Sequence, residues 1–337
     1  MRQVFCFLLV GVTLAAQVAV LGIPKIDAIE FYGLGQVSPS LARQALGLSA
    51  GALLPASKSD AEERLMDIDR VLSARLEAVC CDDGKMVLYV GIEERGAKRY
   101  ETRPAPGGAS MLADEVLAAY RGFEQAAHAA ELAGKTEEDL SKGYPLMTFP
   151  AARAAQLRFP ALVGANLDGL REVLRESNDE YHRAIAASLL PYAPNKSEIV
   201  EDLHEALTDS DAGVRGKAIR GLTALWHLAQ ADASSKVRVS PSWFLELLHS
   251  VAWTDRTQAL WALELLTRDR DVVTISRLRE NELDALVEMA RWKSEKYGYN
   301  AFLLVGRVAG MRDLEIRDAW LRSGRETVIK TALQATR

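Results

Sequence analysis

DSDAGVRGKAIRGL, residues Asp209–Leu222, recurs along the carboxy-terminal half of the chain. The stretch SNDEYHRAIAASLL, residues Ser177–Leu190, aligns with it at an offset of 32 residues and places Arg183 opposite Arg215. A third copy follows 41 residues later with Arg256 in the same place, and a fourth has a glycine where the arginine would stand. Each copy is preceded by another amphipathic helix. Helix pairs repeating every 32 to 42 residues are typical of an α-solenoid.

The polar residues of the repeat are interpreted as structural. We expect Asp209 or Ser210 to cap the second helix of the pair, because short polar side chains accept hydrogen bonds from free backbone N–H groups there. Asp211 should lie in the first turn, within pairing reach of Arg215 four residues later. Acids and arginines of neighbouring repeats are then expected to form a ladder that holds the stack together, and its predicted members are Asp179, Arg183, Asp211, Arg215 and Arg256.

The run LxDxDxxVRxxAxxxL from Leu207 to Leu222 resembles HEAT repeats. The resemblance covers roughly the last 170 residues. It implies a mainly α fold in which residues 166–337 form a stack of HEAT-like helix pairs.

All six tryptophans lie within these repeats. Trp253 and Trp261 are eight residues apart and would share a face of one continuous helix. Two interpretations stay open: core packing at irregular joints between repeats, or an aromatic lining of a concave groove that binds a partner. The second makes Trp253 and Trp261 a candidate partner surface.

Residues 25–98 predict a small α+β domain. A strand beginning at Ile26 is followed by two short helices, and Asp82, Asp83 and Gly84 form a turn between two further runs of strand formers. This β-α-α-β-β order, with the opening IDAIEFYGLG and the closing VLYVGIEE, resembles a POTRA domain. The resemblance implies a second docking module that binds extended peptides or neighbouring domains by adding a strand to its sheet edge.

The amino-terminal segment 1–24 is interpreted as an export signal. Arg2 is the only charge before Lys25, and small residues follow the apolar run. A cleaved signal peptide is favoured; the alternative is an uncleaved inner-membrane anchor over residues 4–23. In either case the remaining chain is expected to be exported, periplasmic or extracellular, and to meet the membrane only through an uncleaved segment.

Residues 99–165 are expected to be a linker followed by connecting helices, because two prolines and two glycines interrupt any regular element near their start. The chain has three cysteines, of which Cys80 and Cys81 are adjacent. They are interpreted either as a vicinal disulfide that responds to reduction or as two small apolar residues at a strand end. No spaced cysteine or histidine pair supplies a metal site.

The composition of the chain limits the classes of function that it could have. Hydrophobic residues make up 49% and charged residues 26% of the chain, which is typical of a folded globular protein. The net charge of −5 argues against a nucleic-acid partner. No catalytic or cofactor-binding motif is found. The sequence therefore predicts a non-enzymatic exported scaffold that binds protein or peptide without a cofactor; the alternatives are a HEAT-like lyase-type enzyme and a redox-responsive binding protein using Cys80 and Cys81.

Overall fold

The structure is a computed structural model that describes residues 25–82 and 85–335, without the side chains of residues 81–85. The amino-terminal segment 1–24, interpreted above as a signal peptide or anchor, lies outside the described residues. Within the described ranges, no helix combines the length and the apolar character that crossing a membrane requires.

The small domain has the predicted order of elements. They are β1 (Ile26–Tyr32), α1 (Pro39–Leu46), α2 (Lys58–Met66), β2 (Val71–Asp82) and β3 (Lys85–Glu94). The sheet order is β1-β3-β2: β1 runs parallel to β3, and β2 pairs antiparallel with it, as a hairpin requires.

The start of each helix in this domain follows from its sequence. Ser38 caps α1 by accepting a hydrogen bond from the Leu41 N–H, and Ser57 caps α2 in the same way. α1 ends at Gly47, whose φ of 67° is the left-handed conformation that glycine adopts readily.

Both faces of this sheet are buried. Leu88, Val90 and Ile92 of β3 belong to a core that α1 and α2 cover. Val87 and Tyr89, on the opposite face, belong to the core of the helical region. Alternate residues of one strand therefore serve two cores, and the small domain is docked through its sheet onto the rest of the chain.

Helices make up most of the remaining chain. The connecting region contains α3 (Asp114–Leu132), the short strands β4 (Glu138–Asp139) and β5 (Leu146–Met147), and α4 (Pro150–Gln156). The repeats contain α5 (Phe159–Glu176), α6 (Glu180–Leu189), α7 (Val200–Ala206), α8 (Ala212–Ala231), α9 (Trp253–Leu266), α10 (Val272–Arg277), α11 (Leu283–Ala290), α12 (Glu295–Val308), α13 (Asp313–Leu321) and α14 (Arg325–Gln334). Apolar residues of the connecting region and of the repeats share one continuous core.

The helices stack in pairs. α5 packs on α6, α7 on α8, α11 on α12 and α13 on α14. Before α9, two 3₁₀ turns, Pro241–Phe244 and Glu246–His249, take the place of a first helix. The second helices contact each other in the order α6, α8, α9, α12 and form one layer of the stack.

The helix caps differ from the expectation by one or two residues. Asp211 caps α8 by accepting from the Val214 N–H at 3.0 Å, and Asp179 caps α6 equivalently. Neither Asp209 nor Ser210 is the cap. The carboxylate of Asp209 is fully buried and is used by arginines, so the next acid along the chain serves the helix terminus.

Gly91 lies at a close approach of the small domain to the repeats. A Cβ at this position would lie 2.2 Å from the Val251 carbonyl oxygen and 2.7 Å from the ring of Tyr32. We expect Gly91→Ala to destabilise the protein by about 1–3 kcal/mol, because backbone and a buried ring must move. Urea unfolding monitored by circular dichroism measures this.

Gly122→Ala is the matched control. A Cβ at Gly122, within α3, meets nothing within 4 Å. That substitution should leave the protein equally stable or more stable by about 0.5–1 kcal/mol, because alanine favours a helix interior. Equal unfolding midpoints for the Gly91 variant and the unmodified protein would contradict the close approach.

Candidate functional site

The three repeat arginines are bonded within the stack. Arg183 donates to both carboxylate oxygens of Asp209 at 2.9 and 3.0 Å, and Arg215 donates to Asp255 at 2.6 and 2.9 Å. Arg256 reaches Glu288 at 3.2 Å. Each acid lies in the repeat that follows its arginine, so these bonds join neighbouring repeats.

Each arginine also binds the loop before its own helix. Arg183, Arg215 and Arg256 all donate to the backbone carbonyl six residues earlier, at 2.6 to 2.9 Å. The three guanidinium groups are therefore engaged with protein acceptors and lie in successive layers, not together in one cleft. This arrangement is suited to stacking repeats.

The acids of this ladder are not the ones that sequence spacing suggested. Arg215 pairs with Asp255 and not with Asp211. Arg183, in the first layer, pairs with Asp209. Arg103 of the connecting region also binds Asp209, at 2.8 Å. Burial alone raises the pKa of Asp209, but hydrogen bonds from Arg183, Arg103 and the Asp211 N–H together bring that pKa below its ordinary value.

The small domain meets the repeats at a cluster of aromatic rings. Trp253 stacks on Tyr89 with ring centroids 5.1 Å apart, and Trp292 lies 4.9 Å from Tyr89 and 5.8 Å from Tyr32. The Arg256 guanidinium lies over the Tyr32 ring at 4.6 Å. We call this cluster, Tyr32, Tyr89, Trp253, Trp292 and Arg256, the domain junction.

Trp253 and Trp261 do not lie on one exposed surface. Although α9 is continuous, eight residues rotate by about 80° around a helix beyond whole turns. Trp253 is 9% exposed and belongs to the domain junction, whereas Trp261 is 37% exposed. Of these two tryptophans, only Trp261 lies where a partner of the folded protein could contact it.

Trp261 lines a hollow of about 500 Å³ on the layer of second helices. We call this hollow the second-helix groove. Side chains of α8, α9, α12 and β4 line it. They include Glu138, Lys217, Arg220, Gln258, Trp261, Lys296, Tyr297 and Asn300. The groove contains both apolar rings and polar groups, the mixture found at surfaces that bind partners.

The groove residues occupy equivalent positions of successive repeats. Lys217, Gln258 and Asn300 each lie two residues after the ladder position of their repeat. Gly216 permits the close packing between α8 and α9, because a Cβ there would lie 2.7 Å from the Gln258 side chain. A repeating row of side chains crosses three helices as a result.

A second hollow of about 410 Å³ adjoins the groove on the side of α3. Glu138, Lys217 and Arg220 line both hollows. Glu138 forms an ion pair with Arg220, with its Oε2 2.9 Å from the arginine Nε. Desolvation lowers the pKa of Arg220 from its ordinary value, and the guanidinium stays charged at neutral pH.

A separate hollow of about 500 Å³ lies beside the first helices, between them and the linker. His204 stacks on Trp243 there with ring centroids 4.0 Å apart. Its wall includes Glu282 of a π-helical turn, which binds Lys98 at 2.6 Å and His249 at 2.5 Å. These groups satisfy one another, and among the described residues no cluster of three metal-ligating side chains is present.

Cys80 is disulfide-bonded. The side chain of Cys81 is not among those that the structure describes. The disulfide between Cys80 and Cys81 therefore stays a prediction.

Lys217, Arg220 and Glu138 were not identified from the sequence as site residues. Alignment of the repeats could have found Lys217, because the equivalent positions of the next two repeats, Gln258 and Asn300, also carry polar side chains, whereas the first repeat has Ile185 there. Glu138 gave no such signal, since it lies 82 residues from Arg220 in a stretch without periodicity.

Comparison with known proteins agrees with this geometry. Residues 167–264 match the family model for HEAT repeats. No curated protein and no solved structure matches the chain. The carboxy-terminal half therefore carries HEAT-like repeats within a mainly helical fold, and repeats of this kind generally mediate protein–protein interaction.

Proposed function

We propose that this protein is a non-enzymatic scaffold that binds a protein or peptide in the second-helix groove. The observation that carries the proposal is an exposed tryptophan, Trp261, beside a row of equivalent polar side chains from three successive repeats. Exposed aromatic residues next to polar groups are the usual anchors of protein interfaces. The HEAT-like character of the repeats supports the same class of function.

A binding role fits the chemistry better than catalysis. The repeat arginines, which would be the natural candidates for a catalytic cluster, are held by Asp209, Asp255 and Glu288 within the stack. The groove offers side-chain amides, ammonium groups and rings. This set is suited to recognising a surface, and the one carboxylate among the described lining residues, Glu138, is bonded to Arg220.

The small domain is proposed as a second docking module, similar to POTRA domains. Its strand β2 lies at the edge of the sheet, where an added strand would pair. One backbone donor of this strand, the Leu76 N–H, is taken by Glu62 at 2.7 Å. Export to the periplasm or the cell exterior belongs to the same proposal and rests on the sequence of residues 1–24.

Trp261→Ala tests the groove. We expect the variant to capture its partner from an extracytoplasmic fraction at least tenfold less efficiently, because truncating a central aromatic anchor commonly costs about 2 kcal/mol of binding free energy. The measurement is quantitative pull-down with the full chain as bait. Leu314→Ala, which removes a 76% exposed side chain of α13 outside the groove, should leave capture unchanged.

Equal capture by the Trp261 and unmodified baits would contradict the groove as the binding surface. Loss of capture with both variants would point to a different surface that includes α13.

Redox response through the cysteines is the second candidate function, favoured by the disulfide at Cys80. If Cys80 and Cys81 are joined, reduction should add about two mass units to the intact chain. Partner capture should then differ between the oxidised and reduced protein. An unchanged mass on reduction would exclude this candidate.

A further inference from the structure

We propose that the second-helix groove binds an extended acidic peptide segment, and that Glu138 of the chain itself occupies the place of one of its carboxylates. The inference rests on the proposed function and deepens it by naming the chemistry of the partner. It also assigns an autoinhibitory role to the short β4–β5 hairpin.

The first argument is the charge of the groove. Lys217, Arg220 and Lys296 line it, and Glu138 is the one acid among its described lining residues. The chain as a whole has a net charge of −5, so this local excess of positive charge runs against the rest of the protein. An anionic partner complements such a surface and is steered towards it.

The second argument is that the groove already holds a carboxylate. Glu138 reaches Arg220 from a hairpin far away in sequence, and this ion pair lies where the two hollows meet. Lys217 and Lys296 form no ion pair with any other described side chain; Lys296 lies over the Tyr297 ring at 5.1 Å. Two ammonium groups therefore remain available beside the occupied guanidinium.

The third argument is that the hairpin is built to release Glu138. β5 is anchored, since Leu146 and Met147 are buried and the Met147 N–H donates to Gln156 at 2.7 Å. β4 has only two residues and, among the described strands, pairs with β5 alone. Such an outer strand, held by few hydrogen bonds, opens at a lower cost in free energy than the core.

The fourth argument is the shape and polarity of the path. Three stacked helices with interaxial distances of about 8–10 Å place the outer two about 20 Å apart, a span of roughly six extended residues. Gln258 and Asn300 can donate to and accept from a peptide backbone. Trp261 and Tyr297 offer contact area for an apolar side chain between the acids.

The test uses the full chain and fluorescein-labelled twelve-residue peptides, measured by fluorescence anisotropy. One peptide combines glutamates with a central phenylalanine; its control has glutamine in place of each glutamate. We expect the acidic peptide to bind at least tenfold more tightly than its control, and more weakly as salt is raised. Lys217→Glu/Lys296→Glu should reduce the affinity at least tenfold, whereas Lys236→Glu/Lys330→Glu, with the same charge change on exposed residues outside the groove, should not.

Glu138→Gln provides the distinguishing result. Removal of the internal competitor should raise the affinity for the acidic peptide severalfold, because the binding-competent groove becomes a larger fraction of the molecules. Urea unfolding of each variant confirms that it is folded. An unlabelled single-stranded oligonucleotide serves as a polyanion of a different class and should compete less well than the acidic peptide.

The inference is overturned if the double charge reversal in the groove leaves peptide binding unchanged, if Glu138→Gln does not raise the affinity, or if the oligonucleotide competes better than the peptide. It is also overturned if no acidic peptide binds. In that case, continued loss of partner capture with Trp261→Ala would show that the groove still binds a partner, of different chemistry, and the proposed scaffold function would stand.

Discussion

Replacing Asp209 with alanine is expected to lower the free energy of unfolding by about 3–5 kcal/mol. Asp209 is fully buried, and its carboxylate accepts hydrogen bonds from Arg183 and from Arg103. Arg183 is only 2% exposed, so removal of the acid leaves a buried guanidinium without a counter-charge. Breaking a buried ion pair from one side costs far more than the pair contributes, because the remaining charge stays desolvated.

Urea unfolding of the purified variant measures this change. Glu326→Ala is the control, since it removes one partner of the exposed pair between Arg291 and Glu326, whose oxygens and nitrogens are 2.9 Å apart. An exposed pair contributes about 1 kcal/mol or less. Similar losses for the two variants would show that the ladder does not hold the repeats together.

The same carboxylate makes the stability depend on pH. The pKa of Asp209 is lowered in the folded protein, so its contribution is present above the pKa of an unfolded aspartate and is lost as the pH falls through the folded value. We expect the unmodified protein to lose stability below about pH 4, the ordinary range of this side chain. The urea midpoint of Asp209→Asn should fall less than that of the unmodified protein over the same pH interval. An equal fall would contradict the assignment of this pH dependence to Asp209.

Trp292→Ala is expected to destabilise the protein by about 3–5 kcal/mol, the second large effect. The side chain is 1% exposed and contacts both Tyr32 and Tyr89, so it belongs to the small domain and to the repeats at once. Its removal leaves a cavity between the two units, which are also joined by the hydrogen bond from the Tyr32 hydroxyl to the Val251 carbonyl at 2.7 Å.

Trp292→Phe separates ring packing from the loss of volume and should cost less than the alanine variant, because a ring is kept against Tyr89. Trp261→Ala controls for the loss of an indole, since Trp261 is exposed and lies outside the junction. Urea unfolding monitored by tryptophan fluorescence measures all three. If Trp292→Ala unfolds at the same urea concentration as Trp261→Ala, the junction does not couple the two units.

Local patterns in the sequence were sufficient to predict the architecture of the fold. The recurrence around Arg183, Arg215 and Arg256 predicted stacked helix pairs, and the turn at residues 82–84 predicted the β2–β3 hairpin; the structure and the match to HEAT repeats bear out the fold. These features depend on residues close together in the chain, whose spacing sets the helix face or strand face that they occupy.

The identity of the ladder acids could not be predicted in the same way. Asp211 is four residues from Arg215 and was the obvious partner, yet the helix terminus uses it as a cap. Asp255 lies 40 residues from Arg215, and only the stacking distance between α8 and α9 brings them together. Pairing between repeats depends on how the helices pack, which spacing along one helix does not encode.

By itself the sequence determined that the chain has a small β-α-α-β-β unit and a helical repeat region, because hydrophobic periodicity and capping act over a few residues. Only the tertiary structure decided that Trp253 is enclosed at the domain junction while Trp261 stays exposed, and that Glu138 reaches Arg220 across the second-helix groove. The physical reason is that burial and ion pairing depend on which surfaces meet in space, and residues far apart in sequence supply the opposing surfaces.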